Sequence, residues 1–542
     1  MEMQFATVWE SIADRIPDAI ALVQGKTRRS WRELDERAAR FASFLARQGV
    51  GQDGKVALYL YNSPEYVETC FAAFKRGAIP INTNYRYLED ELVYLLENSD
   101  AEVLVFAGAL GERVARVRER IPRVRALVQV DDGADLVPGA VFFDDVIASH
   151  PAEPRFARPE GGTYMLYTGG TTGMPKGVMY DASAFCAGML LGHGVRGLQV
   201  PTTADAIAPA VEALVAKGLA PRTVVCCPLM HGTGLWVGAM VTMHLGGTVI
   251  LLEGTHFDSD ELFGTVERER ATDLVIVGDA FAKPMLRAIE EAEARGKPWN
   301  LGSLAMISSS GVMFTSEVKQ ALLRRHDMML FDIMGSTEGG MGSNITTRAN
   351  ATETAKFNLN PNVKVFTDDG REVAPGSGEI GMIATTGNVP IGYYKDPEKS
   401  ERTFRTVNGV RYSFPGDYAS VAADGSITLL GRGSACINSG GEKIFPEEVE
   451  EVVKLHPAVY DCLVVGVPDE RFGEAVTAVA SLRPGSSASE ADVLSSCRGK
   501  LSAYKLPKRV LFADVVQRAP NGKADYKWAK EHALATLGIA RR

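Results

Sequence analysis

Four glycines, three threonines and a lysine crowd into YTGGTTGMPKGVMY, Tyr167 to Tyr180, between apolar residues. Glycines let a backbone turn tightly and aim N–H groups at an anion, while threonine hydroxyls and a lysine add donors and positive charge. Thr168, Gly170, Thr171, Thr172 and Lys176 are therefore candidates to hold phosphates. The stretch is not a Walker loop, which requires GxxxxGK[ST]: Lys176 lies three residues after Gly173, behind Met174 and Pro175, and Gly177 follows it. Taken alone, it reads equally well as a glycine-rich surface turn.

Other segments carry residue types with chemical capacity. In MGSTEGG, Met334 to Gly340, Thr337 can donate to a phosphate oxygen, and Glu338 is a hard oxygen ligand suited to Mg2+ bridging phosphates; the competing reading is a solvated turn. Asp332, two residues before Met334, can equally cap a turn. In PNGK a proline and a glycine place Lys523 on an exposed loop, where a lysine is ordinarily just solvated. His231 reads as either a site residue or a satisfied core histidine.

These residues need a frame, and alternating helix and strand signals supply one. Ser30 and Glu33 have the spacing of a capping box, and Trp31, Leu34, Ala38, Phe41 and Leu45 recur at helical intervals up to Gly49. KVALYLYN predicts a strand, residues 62–77 a second amphipathic helix, and β-branched runs predict strands at 102–106, 224–227 and 273–277. Thr163 to Thr168 also reads as a strand leading into the glycine loop. The pattern implies α/β layers with at least partly parallel sheets. Later the grammar changes. Residues 411–430 predict a hairpin turning at Asp424-Gly425, and Gly431-Arg432-Gly433-Ser434 reads as a flexible segment. A helix begun by Pro446, strands at 462–467 and 475–482, a helix from Glu490 and a strand at 509–516 follow, as a compact α+β unit.

Composition narrows the partners. A chain of 542 residues exceeds one ordinary core, and a formal net charge of -9 argues against nucleic acid or an anionic membrane as the default partner. The acidic start predicts neither a signal nor a transit peptide, and residues 229–252, broken by His231, His244 and glycines, predict a buried segment rather than a transmembrane one. Seven cysteines without CxxC spacing point to a reducing compartment, the cytoplasm, with no structural zinc; Cys226 and Cys227 read as buried strand residues rather than a redox pair.

TGGTTGMPKG resembles the phosphate-binding signature of the adenylate-forming superfamily of acyl-CoA synthetases, adenylation domains and luciferases. Six further family motifs occur in order: PLMHGTG (228–234), MGSTEGG, GYYKDPEKSERTF (392–404), PGDYA (415–419), GRGSACINSGGEKIFPEEVE (431–450) and APNGKADYKWAK (519–530). The resemblance implies an α/β fold: a large N-terminal domain, 1–432, of layered α/β sheets plus a β-barrel-like subdomain, and a small mobile α+β C-terminal domain, 433–542. It implies ATP, Mg2+ and coenzyme A, and a carboxylic-acid substrate joined first to AMP and then to CoA. It implies that Asp332, Gly335, Ser336 and Thr337 contact the nucleotide, that Asp417 accepts from the ribose hydroxyls, and that Arg432 lies on the ribose or phosphate side. Glu338 and Thr172 would hold the metal. Lys523 would reach the carboxylate and α-phosphate during adenylation, Arg432 and Ser434 would form the hinge, and Ser439, Gly440, Gly441 and Glu442 would approach the CoA. His231, Trp236, Phe281, Gly311 and Met313 fall in segments that line acyl pockets in relatives.

Four positions depart from the commonest pattern: Met334 stands for an adenine-packing aromatic, Gly169 for Ser or Thr, Pro415 for the Thr of TGD, and Ser434 for the hinge Asp or Lys. YTGGTTG, GRGS, INSGGEK and GKADYKWAK together resemble a subgroup of bacterial acyl-CoA synthetases acting on steroid side chains and related branched or cyclic acids. That resemblance implies a bulky or branched acid. Two alternatives stay open, a free-standing adenylation enzyme that loads a carrier protein and a non-catalytic nucleotide-binding relative, as does a homodimer.

Overall fold

The computed structural model describes residues 3–158, 161–170, 173–350, 356–359, 362–439, 442–469, 473–501, 503–519 and 522–539. Ser30 caps the helix Trp31–Arg47 in both directions: its side chain accepts from the Glu33 N–H at 3.2 Å, and the Glu33 carboxylate accepts from the Ser30 N–H at 2.7 Å. The predicted apolar stripe, Trp31, Leu34, Ala38, Phe41 and Leu45, is wholly buried. Pro64 starts the next helix, Pro64–Lys75, because proline has no N–H to lose in a first turn.

Two units emerge from the chain's internal contacts. The first comprises Met1–Gly340, Asn344–Thr352 and Thr386–Ser413; the second comprises Met341–Ser343, Glu353–Thr385 and Phe414–Arg542. In the first unit one sheet runs Ile79–Asn82, Lys55–Tyr59, Val103–Ala107, Ala126–Val130, Ala140–Phe142, all parallel. Another runs Ile20–Gln24, Thr248–Leu251, Arg222–Val225, Asp273–Ile276, Met306–Ser310, Met329–Ser336, parallel throughout, with Thr27–Ser30 antiparallel at its edge. Burial of both faces explains why central strands such as Val103–Ala107 and Thr248–Leu251 read as continuous apolar runs. A third, antiparallel sheet joins Thr163–Gly170, Gly173–Asp181 and Gly392–Tyr393.

In the second unit an antiparallel set runs Lys356–Leu359, Ile427–Arg432, Asp417–Val421, Ile380–Thr385, Val363–Phe366. The hairpin turn at Asp424-Gly425 is present, with Gly425 at φ 81°. Its outer part differs from expectation: Val410–Ser413 pairs with Phe404–Val407 as a hairpin with its own turn, assigned to the first unit. The segment expected to be flexible carries regular structure at both ends. Gly431 and Arg432 end a strand, and Gly433–Ala435 forms a 3-10 turn. A Cβ on Gly431 would sit 2.1 Å from the Glu447 carboxylate, and one on Gly433 2.7 Å from the Tyr418 ring, so these glycines permit close approach. The remainder carries the long antiparallel pair Val459–Asp469 and Gly473–Leu482, with Arg509–Phe512 parallel to the latter.

Cys226 and Cys227 are buried but follow the strand Arg222–Val225 rather than lying in it. Burial raises both thiols, Cys227 to about 12, which keeps them protonated and inert. None of the seven cysteines is in a disulfide. Residues 233–240 of the apolar segment form a π-helix, and among the described residues no helix is long and apolar enough to cross a membrane.

Candidate active site

The described part of the glycine-rich stretch lies on the two strands of a hairpin. Thr163–Gly170 pairs with Gly173–Asp181 so that Thr168 faces Lys176 and Tyr164 faces Tyr180, with an irregularity between Thr168 and Gly170. Asn82 anchors its entry: its side chain accepts from the Tyr167 N–H at 2.7 Å and donates to the carbonyls of Tyr167 (2.8 Å) and Met230 (2.7 Å). That one amide ties the hairpin to the end of one parallel sheet and to the segment that follows Arg222–Val225 of the other. Thr171, Thr172, Gly440 and Gly441 lie outside the described residues, as do the side chains of Arg432, Ser434 and Glu442.

Glu338 is buried beside this hairpin. Tyr393, whose strand pairs with Val178 and Met179, donates its hydroxyl to Glu338 Oε1 at 2.8 Å. Ser336 accepts from the Glu338 N–H at 3.1 Å, and the Tyr180 hydroxyl donates to the Thr337 carbonyl at 2.8 Å. Tyr180 and Tyr393, to which sequence reasoning gave no role, thus tie Thr337 and Glu338 to the sheet whose hairpin carries Thr168 and Lys176. GYYKDPEKSERTF contained the signal, as a motif without an assigned chemistry. It also supplies Asp396, which caps the helix Pro397–Thr403 through the Lys399 N–H and pairs with the Lys176 ammonium. The hydrogen bond from Lys176 is the main reason the Asp396 carboxyl titrates below its ordinary range.

Among the described residues no three His, Cys, Asp or Glu side chains cluster to enclose a metal. Mg2+ ordinarily takes one or two carboxylates and completes its shell with water and substrate phosphates, so a single oriented Glu338 fits that ion.

Asp332 occupies the buried face of Met329–Ser336 together with Leu330 and Met334. Its Oδ2 accepts from Lys319 at 2.8 Å, an ion pair that partly offsets the upward push of burial on its pKa. Lys319 is a further residue that the sequence did not expose as a partner. Gly335 is exposed and Ser336 half-buried at the carboxyl end of the same strand.

The acyl candidates also follow strand carboxyl ends, where open α/β sheets place their ligand crevices. His231 comes after Arg222–Val225, Phe281 after Asp273–Ile276, and Gly311 and Met313 after Met306–Ser310. Gly311 has φ 92°, and a Cβ there would lie 3.5 Å from Thr233 Oγ1 and 3.6 Å from Val277. Gly278 has φ 48°, and a Cβ there would lie only 2.3 Å from the Met313 carbonyl oxygen, which accepts from the Asp279 N–H at 2.9 Å. Gly311 and Met313 therefore meet the start of the helix Gly278–Ala294 that carries Phe281. Phe281 is buried against Phe257, with ring centroids 4.6 Å apart. Trp236 lies on the π-helix Thr233–Met240, a form found often at functional sites. Its indole donates to the Tyr164 hydroxyl at 2.6 Å, and its ring meets Phe185 edge-on at 4.9 Å. His231 is half-buried at the entry to that helix.

Asp417, Arg432, Ser434, Ser439, Glu442 and Lys523 belong to the second unit. Asp417 is buried, and Asp417 and Arg432 are register partners on adjacent strands. Ser439 is buried and faces Glu442 across a hairpin. Lys523 is exposed at the end of a turn in which the Ala519 N–H donates to the Lys523 carbonyl at 2.9 Å and the Gly522 N–H to the Ala519 carbonyl at 2.8 Å.

A family model described as AMP-binding enzyme matches residues 9–394, and another, AMP-binding enzyme C-terminal domain, matches residues 448–523. The chain belongs to the AMP-binding enzyme family. Its relatives include a 3-oxocholest-4-en-26-oate–CoA ligase of Rhodococcus rhodochrous, 40% identical across 98% of this chain and 96% of that protein. A medium-chain acyl-CoA ligase of Mycobacterium avium is 38% identical across 97% and 98%. The fold of this AMP-binding enzyme matches an anthranilate CoA ligase in complex with anthranoyl-AMP, at a TM-score of 0.84 and 22% identity over 99% of both chains. A benzoate CoA ligase from Burkholderia xenovorans gives a TM-score of 0.81 at 21% identity over 97% and 99%.

Proposed function

We propose that this AMP-binding enzyme is a cytoplasmic, ATP-dependent acyl-CoA synthetase working as two domains, 1–432 and 433–542. The observation that carries the reading is full-length likeness to CoA ligases in a chain where Tyr393, on the strand beside the glycine-rich hairpin, orients a buried carboxylate, Glu338. A carboxylate is a poor electrophile. Its oxygen attacks the α-phosphorus of ATP, the bond to pyrophosphate breaks, and the acyl-adenylate that results carries a good leaving group. The CoA sulfur then attacks the acyl carbon, AMP departs, and the thiol proton is lost.

In this reading Thr168, Gly170, Thr171, Thr172 and Lys176 hold the β- and γ-phosphates, with Gly335, Ser336 and Thr337 alongside. Asp417 and Arg432 hold the ribose side. Asp332, already paired with Lys319, lies toward the adenine. Glu338, with Thr172, holds Mg2+, which when bound neutralises phosphate charge. Lys523 stabilises the negative charge that gathers between the two reacting anions. After adenylation the second domain turns about Arg432 and Ser434 and brings Ser439 to Glu442 toward CoA, excluding water from the reactive adenylate.

The relatives named for a steroid acid support a bulky, branched or cyclic acid, with His231, Trp236, Phe281, Gly311 and Met313 as its pocket. Pyrophosphate release across a panel of fatty, cinnamic, aryl-propionic and steroid acids identifies the class. Lys523→Ala is expected to lower adenylation by at least about 100-fold, the scale of a lost transition-state charge partner, while sparing thioester formation from preformed acyl-adenylate. Equal loss in both half-reactions with intact folding counts against the assignment of Lys523.

A further inference from the structure

The turn that presents Lys523 is held from behind by one guanidinium. Arg518 Nε donates to Asp461 Oδ2 at 2.7 Å and its Nη2 to Asp461 Oδ1 at 2.8 Å, a bidentate fork onto the strand Val459–Asp469. Its remaining Nη1 donates to the Gly522 carbonyl at 3.2 Å, one residue before the lysine. The same turn is closed by the two backbone bonds between Ala519 and residues 522 and 523, and by a bridge between Arg518 and Ala524. Gly522 is buried at φ 72°, so the peptide entering Lys523 is set in a conformation that most residues avoid. Asp461 is itself fixed, because Oδ1 also accepts from the Cys462 N–H at 2.8 Å.

We propose that Arg518 is a positioning residue for adenylation, its guanidinium tying the Lys523 turn to Asp461 and so fixing where the lysine amine is delivered. The planar fork of arginine makes three directed bonds to two partners, which a lysine ammonium cannot reproduce even with the same charge. Asp461 and Arg518 are each about one-fifth exposed, with Lys454, Glu450 and Tyr526 as electrostatic neighbours, so the pair anchors the turn to the unit's interior rather than to solvent. Misplacing a reacting group by about 1 Å costs on the order of 100-fold in rate. That sensitivity gives the tether functional weight.

The inference rests on the reading of Lys523 as the adenylating lysine, and the test separates the two. Arg518→Lys and Asp461→Asn, made in the full chain, are each expected to lower kcat for acid-dependent pyrophosphate release by about 10- to 100-fold. The KM for ATP is expected to change less than about threefold, and thioester formation from preformed acyl-adenylate to stay within about twofold, since binding is left intact. Added to Lys523→Ala, Arg518→Lys should have no further effect on adenylation, because it acts through the lysine. Thermal unfolding, recorded for every variant, keeps a folding defect from passing as a positioning one. A variant that folds and adenylates at the original rate overturns the proposal, as does an equal loss in both half-reactions or an additive loss in the double variant. If Lys523→Ala itself keeps its adenylation rate, the reading of the lysine fails first.

Discussion

Glu338 is held by a neighbour rather than by its own segment. The Tyr393 hydroxyl fixes one carboxylate oxygen at 2.8 Å, orienting the acid that the proposed mechanism gives to Mg2+. A hydrogen bond to a charged group contributes about 1.5–3 kcal/mol. Tyr393→Phe is therefore expected to lower adenylation roughly 10-fold or more and to shift its Mg2+ dependence to higher concentration. A Mg2+ titration of pyrophosphate release checks this, and an unchanged midpoint and rate would exclude an orienting role. Lys176 and Asp332 follow the same pattern, each meeting an opposite charge from a distant segment, Asp396 and Lys319. Read along the chain they look like isolated charges; in the fold each is half of a pair.

At the scale of elements, one hairpin couples the two halves of the candidate site. Tyr164 and Tyr180 face each other across it; one accepts from Trp236 among the acyl candidates, and the other donates to Thr337 in the phosphate motif. The loop after Asp273–Ile276 does similar work on the acyl side, since Gly278 lets the backbone pass against the carbonyls of Val312 and Met313. An added Cβ would meet those oxygens at 2.5 and 2.3 Å, and backbone cannot move aside cheaply. Gly278→Ala is expected to destabilise the chain by about 2–4 kcal/mol, the sum of left-handed strain and overpacking. Gly296→Ala, at φ 69° with open space around it, should cost only about 1–2 kcal/mol for the backbone alone. Urea unfolding of the two variants compares them directly, and equal losses would remove the packing argument.

For the molecule as a whole, acid sensitivity is built into the first unit through His244. Burial pushes its pKa from 6.5 down to about 4, against a hydrogen bond to the Met240 carbonyl that works the other way. With Nδ1 donating to that carbonyl at 2.7 Å, the ring is neutral, and the 3.3 Å contact of the same nitrogen with the Trp9 indole is a close approach of two donors rather than a bond. Below the unfolded value the unfolded chain binds a proton that the folded one refuses. Stability is fully present above 6.5 and is lost as pH falls toward about 4. Between about pH 7 and about pH 5 the loss from this residue is about 2 kcal/mol. His244→Gln is expected to flatten that limb by the same amount whatever its effect at neutral pH, as read by urea unfolding across the range. Parallel profiles for the two proteins would show that other groups set the acid limit.

Much was written locally. The capping box at Ser30 and Glu33, the proline starts at Pro64 and Pro446, the turn at Gly425 and the spacing of the glycine-rich loop all depend on residues a few positions apart, whose energetics the sequence displays directly. The ordered motifs carried the family in the same way, because each is a short stretch. What the tertiary structure alone decided is which distant residues complete each local one: Tyr393 for Glu338, Asp396 for Lys176, Lys319 for Asp332, Tyr164 for Trp236, Asp461 for Arg518. Those pairings join residues 13 to 220 positions apart in the chain, and depend on strand register and helix packing. Hydrogen bonds and ion pairs act over a few ångströms of space rather than along the chain, so only the fold could assign them.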